Sequence, residues 1–209
     1  MDLFLYAFAA LFSIMNPLGT VPIFVGLTQE EDTAERKKTA LLTSINVLVI
    51  LLISFFLGKY LLHFFGISLN SLRIAGGLII ISSGFALLTG SFAKHKGMKN
   101  KRVQKDLSQR ERFSLTPLAI PMLAGPGSIS MLITFQQEYK ITSQILFIIL
   151  AVFLACLITY LILRSSYFIA KALGASGINA ISRIIGFIVI AIGIEYISGA
   201  VIDLMKTFL

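Results

Sequence analysis

The sequence predicts an all-α membrane protein whose six transmembrane helices form two inverted three-helix repeats, with helices 1 and 4 broken by proline and glycine. Three observations carry this. First, 56% of the 209 residues are hydrophobic, 13% are charged and the mean hydropathy is +0.89, which is too apolar for a soluble domain of this size. Second, the apolar runs reach the roughly 20 residues that a bilayer crossing requires. Third, two Pro/Gly interruptions fall in corresponding apolar runs, 108 to 110 residues apart.

The first apolar segment extends from about Leu3 to Leu27 and ends in the polar stretch 28–38. Within it, Asn16-Pro17-Leu18-Gly19-Thr20-Val21-Pro22 sets two prolines and a glycine at bilayer depth. Pro17 and Pro22 carry no amide hydrogen and Gly19 tolerates angles other residues avoid, so helix 1 is expected in two pieces. An orphaned backbone group is costly in hydrocarbon, so such a break survives where protein or a polar cavity surrounds it. No Lys or Arg precedes this run and it outlasts a signal peptide, so it reads as a retained helix. Helix 2 covers Thr39 to about His63, with Thr43, Ser44, Asn46 and Ser54 as its polar content, and Glu30-Glu31-Asp32 reads as a solvated loop that caps it. Ser68, Asn70 and Ser71 suit the cap of helix 3, which follows from Arg73 to about Gly90 with glycines that permit close helix approach.

Residues 92–112 change character: Lys94, Lys96, Lys99, Lys101, Arg102, Lys105, Arg110 and Arg112 make them a solvated basic linker. Phe113 to about Phe135 is helix 4, interrupted by Pro117, Pro121, Gly125, Pro126 and Gly127. Helix 5 is read from Thr142 to about Leu173, and helix 6 from Ile178 to about Leu204 after the Gly174-Ala175-Ser176-Gly177 turn. The chain therefore divides into a first repeat (1–91), the linker (92–112) and a second repeat (113–209).

Gly19-Thr20-Val21 pairs with Gly127-Ser128-Ile129, and Arg73-Ile74-Ala75-Gly76 with Arg183-Ile184-Ile185-Gly186. Three spans per repeat turn the second unit upside down, and inverted repeats with matched broken helices are a pattern of secondary transporters. Of the 18 Lys and Arg, 14 fall on the side of the loops after helices 1, 3 and 5. That side should be cytoplasmic, with both termini outside. The net charge of +8 then reports topology, and no nucleic-acid partner is expected.

Two half-helix ends meeting in the bilayer offer amides and a positive dipole end to an anion, and carbonyls to a cation. A zwitterion fits both. The residues expected to bind it are Asn16, Pro17, Gly19, Thr20, Pro22, Pro121, Gly125, Pro126, Gly127 and Ser128, through the Asn16 amide, the Thr20 and Ser128 hydroxyls, and carbonyls freed by the prolines. A single break would be read as a kink relieved by a neighbouring helix; two in repeat-related positions favour a site.

Glu195 is the one acidic residue well inside a span, expected to face the interior as a proton-coupling group, the alternatives being a satisfied interhelical hydrogen bond or a position close enough to the outer end to meet water. Asn46 serves a cavity or glues helices. Arg73 and Arg183 snorkel or form a gating salt bridge. Cys156 is the only cysteine and reads as packing. His63 and His95 have no ligand-spaced companions, so no metal is expected, and no nucleophile-base pair or phosphate loop points to an enzyme or a cofactor.

The runs 16–24 and 117–129 and the six-span layout resemble the MarC family, which includes the SnatA-type small neutral amino-acid transporters, and the resemblance covers nearly the whole chain. It implies a cytoplasmic (inner) membrane protein of the LysE-like superfamily with 3+3 inverted repeats. It also implies substrates such as glycine, alanine or serine, and a central site formed or flanked by Asn16, Pro17, Gly19, Thr20, Pro121, Gly125, Pro126, Gly127 and Ser128. The function expected is alternating-access transport of such amino acids across the lipid bilayer, coupled to H+ or Na+, with proton coupling through Glu195; a homo-oligomer is compatible with it. The rival readings are an exporter of another small polar solute and, from another class, an intramembrane enzyme built on Glu195.

Overall fold

The computed structural model describes residues 2–29, 31–90, 119 and 123–208. The described residues are helical throughout their regular structure, in seven elements: α1 (Asp2–Met15), α2 (Pro17–Leu27), α3 (Thr33–Phe65), α4 (Leu69–Leu88), α5 (Pro126–Glu138), α6 (Thr142–Arg164) and α7 (Ser166–Phe208). With α1 and α2 taken as one span, five helices among the described residues are long and apolar enough to cross a membrane. The linker 92–112, Pro117, Pro121 and most of the first half of the expected helix 4 lie outside the described residues. Its second half, α5, has 13 residues and rises about 20 Å, short of a ~30 Å hydrocarbon core.

Local chemistry sets the ends. Asp32 Oδ1 accepts from the amides of Ala34 (2.7 Å) and Glu35 (2.8 Å), while Glu35 Oε2 accepts from the Asp32 amide (3.2 Å). This reciprocal capping box starts α3 at Thr33, six residues before the Thr39 expected from hydropathy, because capping overrides the polarity of Glu35 to Lys38. Gly66 ends α3 in the left-handed region (φ 65°), and Ser68 caps α4 by accepting from the Ser71 amide at 3.1 Å. The expected helix 5 is shorter than its apolar run: α6 stops at Arg164, and a new helix starts at Ser166. Of the expected turn, Gly174 alone departs from helical angles (φ 62°, ψ 176°).

The outer surface is apolar, with Phe64 80% and Phe187 69% exposed, while Asn16, Thr20, Thr43, Ser128, Thr134 and Thr159 are buried. That distribution suits a lipid solvent, where interior polar groups bond between and within helices. α3 packs on α6 and α4 on α7; α1 packs on α6, α5 on α3 and α4, and α2 on α7. The α4/α7 pair is the tightest. A Cβ on Gly77 would stand 2.8 Å from the Gly193 carbonyl oxygen, and one on Gly84 2.8 Å from that of Gly186, with both contacts reciprocated. Glycine is what lets these two backbones touch.

Candidate functional site

At both breaks a helix starts with proline. α1 ends at Met15, Asn16 turns into the left-handed region (φ 43°, ψ 62°), and α2 restarts with Pro17 in its first turn. On the other side the Ala124 amide donates to the Ala119 carbonyl (2.8 Å), Gly125 takes an extended conformation, and α5 starts with Pro126. The breaks lie close together: a Cβ on Gly127 would stand 3.3 Å from Ile14 Cγ2, at the end of α1, and 2.8 Å from Ile80 Cγ1 of α4.

Asn16 is fully buried. Its Oδ1 accepts from the Gly19 amide at 3.3 Å, which caps α2, and its Nδ2 has no hydrogen-bond partner. A buried donor without a partner is costly, so this carboxamide is poised to donate to something brought to it. α5 has no side-chain cap, which leaves the Gly127 and Ser128 amides at an uncapped helix N-terminus.

The hydroxyls have a different task from the expected one. Thr20 Oγ1 donates to the Asn16 carbonyl (3.2 Å) and Ser128 Oγ to the Gly125 carbonyl (2.9 Å). Each satisfies a backbone acceptor at its own break and retains only acceptor capacity. Pro22 cannot donate to the Leu18 carbonyl, so that acceptor loses its helical donor next to Gly19.

Beside the first break is a cavity of about 110 Å³, between Gly19, Pro22 and Ile23 of α2, Leu87 and Gly90 at the end of α4, and Ile178, Asn179 and Ser182 of α7. It has room for a small solute or several waters. A Cβ on Gly19 would overlap the Asn16 carboxamide and stand 3.2 Å from Ser182 Oγ, so the unpartnered Asn16 amide lies directly behind the cavity wall. Among the described residues, no charged side chain lines the cavity. Of the expected residues, Gly19 and Pro22 line it and Asn16 adjoins it, whereas Gly125 to Ser128 are not among its walls. Pro121 lies outside the described residues.

Asn46 is half-buried on α3 and not part of this wall. The interior orientation expected for Glu195 is corrected: it is exposed, because α7 turns the adjacent Tyr196 inward (4% exposed) and successive helical residues point about 100° apart. Arg183 is also exposed. Arg73 is not. Its side chain is 14% exposed, and Nη1 pairs with Glu138 Oε1 (3.1 Å) at the end of α5 and Asp203 Oδ2 (2.9 Å) on α7. At the opposite end, the Arg36 guanidinium stacks 3.9 Å from the Tyr167 ring centroid and donates to the Thr28 carbonyl (3.2 Å), to which the Tyr167 hydroxyl also donates (2.9 Å). These clusters mark an Arg73 end and a basic end of the bundle.

Sequence reasoning missed Asn179, Ser182, Glu138 and Asp203. Glu138 and Asp203 sit near helix ends and Asn179 and Ser182 near the expected start of helix 6, where a polar residue reads as solvated; the one available signal was Asn179 and Ser182 recurring about a turn apart.

A family model described as MarC family integral membrane protein matches residues 1–205. A protein of Buchnera aphidicola subsp. Schizaphis graminum named "UPF0056 membrane protein" is 40% identical, over 94% of this chain and 90% of its own. The Escherichia coli "UPF0056 membrane protein YhcE" is 36% identical over 91% and 87%, and the Escherichia coli "UPF0056 inner membrane protein MarC" is 34% identical over 95% and 93%. No solved structure matches the chain.

Proposed function

The chain belongs to the MarC family of integral membrane proteins, and on that premise we propose that it is a secondary transporter of small neutral amino acids in the cytoplasmic (inner) membrane. The observation that carries the reading is the pair of breaks, from which α2 and α5 start near each other and lead to different ends of the bundle. Inverted repeats explain this. A shift of 109 residues, between the two shifts suggested by short matches, equates Pro17 with Pro126, Asn70 with Asn179, Gly77 with Gly186, Gly84 with Gly193 and Gly90 with Gly199. Under a twofold axis α2/α7 becomes α5/α4, α2/α6 becomes α5/α3, and α3/α6 and α4/α7 map onto themselves, and each of these contacts is present in the packing. The glycine contacts obey the same exchange, Gly77 with Gly193 becoming Gly186 with Gly84. The basic loops then face the cytoplasm and both termini lie outside.

The substrate class follows from the donors and acceptors. The Asn16 Nδ2 behind the cavity wall suits a carboxylate, the Leu18 carbonyl suits an ammonium, and a cavity with no charged side chain among the described residues that line it suits a solute of zero net charge. Its size favours glycine, alanine or serine. Counterflow of labelled glycine and alanine in liposomes, with proton and sodium gradients varied separately, is expected to show uptake. No uptake of any small neutral amino acid refutes the reading, and uptake of a different polar solute replaces the substrate.

For the coupling ion we propose a proton, carried by Glu195, the one carboxylate that hydropathy sets well within a span and that α7 leaves exposed. Glu195→Gln should leave counterflow intact and remove gradient-driven accumulation. Full accumulation by the variant removes Glu195 from the mechanism.

A further inference from the structure

We infer that Arg73, with Tyr196, Glu138 and Asp203, is the gate at the Arg73 end, and that the structure is the state in which this gate is shut while the cavity is open at the basic end. The inference rests on the twofold relation proposed above, which assigns every wall of the cavity a counterpart at the other end.

Applied to the cavity, the 109-residue shift carries Gly19 to Ser128, Pro22 to Met131 and Asn179 to Asn70. Pro22 and Asn179 are exposed, whereas Met131 is fully buried and Asn70 half-buried. The same space that is open at one end is therefore filled at the other, and two substitutions between the repeats fill it. Leu87 is matched by Tyr196 and Ser182 by Arg73. Tyr196 is buried with its hydroxyl donating to the Met131 carbonyl (3.3 Å). The Arg73 guanidinium lies 5.8 Å from that ring's centroid.

Gly199, the counterpart of Gly90, is the slot for the guanidinium, since a Cβ there would stand 2.7 Å from Arg73 Nη2. From this seat Arg73 ties α5 to α4 and α7 through Glu138 and Asp203. α5 is the half-helix that must move away from α4 and α7 for a cavity to open at this end. Glu138 and Asp203 are 31% and 50% exposed, so both pairs are screened by water and can part during a transport cycle.

The test uses the full-length chain in membrane vesicles of both orientations, with Cys156→Ala as background and a single cysteine at Met131→Cys or Ser182→Cys. A membrane-impermeant thiol reagent is applied and no substrate is needed, so the outcome is independent of whether amino acids are transported. With Arg73 in place, Ser182→Cys should react from the basic end and Met131→Cys hardly at all from the other. Adding Arg73→Gln should raise the Met131→Cys rate at least about tenfold from the Arg73 end and slow Ser182→Cys. Asp203→Asn should act in the same sense but less strongly, and Arg73→Lys should largely restore both rates. Unchanged rates in Arg73→Gln overturn the gate, as does faster labelling at both positions, which would mean general loosening.

Discussion

Gly19→Ala is expected to lower initial uptake rates at least about 100-fold while the protein still folds and inserts, a loss of roughly 2–3 kcal/mol in the productive complex. The new Cβ has no free space: it overlaps the Asn16 carboxamide and stands 3.2 Å from Ser182 Oγ. Asn16 cannot retreat, being fully buried in a left-handed conformation, so it must give up its bond to the Gly19 amide. Loss of an N-cap costs about 1 kcal/mol, which the fold can absorb. The substrate site cannot, because the donor is displaced and the cavity wall advances together. The measurement is uptake per folded protein, with helix content checked by circular dichroism; rates near those of the unmodified protein would remove Gly19 from the site.

Gly84→Leu is expected to act on stability instead, lowering the apparent Tm in detergent by about 10 °C or abolishing the folded protein. Its Cβ would lie 2.8 Å from the Gly186 carbonyl oxygen and 2.9 Å from the Ile190 amide nitrogen. Both are backbone atoms of α7, so relief requires the two helices to separate, at about 3 kcal/mol or more. Gly26→Ala is the control. The nearest atom to its Cβ is 4.0 Å away, at the end of the Gln29 side chain, so this change within α2 should be neutral or stabilise by up to ~1 kcal/mol. Equal Tm losses in the two variants would contradict the packing argument.

The sequence made the breaks legible because proline and glycine declare themselves at bilayer depth. It also made the α4/α7 seam legible in outline, through the small residues of helix 3. Likeness alone leaves the register open by one residue: Gly19-Thr20 aligns by eye with Gly127-Ser128 at a shift of 108, whereas the proposed shift of 109 pairs Pro17 with Pro126, the prolines at which α2 and α5 start. At the proposed shift Arg73 falls opposite Ser182, a residue with no likeness to arginine, rather than opposite the Arg183 that likeness pairs with it. Glu195 was misplaced in orientation because hydropathy gives depth along a helix but not which face turns inward. The sequence suggests the hydroxyls of Thr20 and Ser128 as substrate ligands, and it does not show the local carbonyl bonds that occupy their protons. Glu138 and Asp203 could not be joined to Arg73 without the tertiary fold, since 65 and 130 residues separate them from it in the chain.

The central claim is that a small amino acid binds in the cavity beside the first break. It is tested most directly by substrate protection of Ser182→Cys in the Cys156→Ala background, measured as thiol labelling from the basic end with increasing alanine or glycine. Saturable slowing of labelling by these amino acids, with no protection by acidic or basic ones, is the expected result. A labelling rate unchanged at concentrations that saturate counterflow would place the substrate elsewhere and contradict the account.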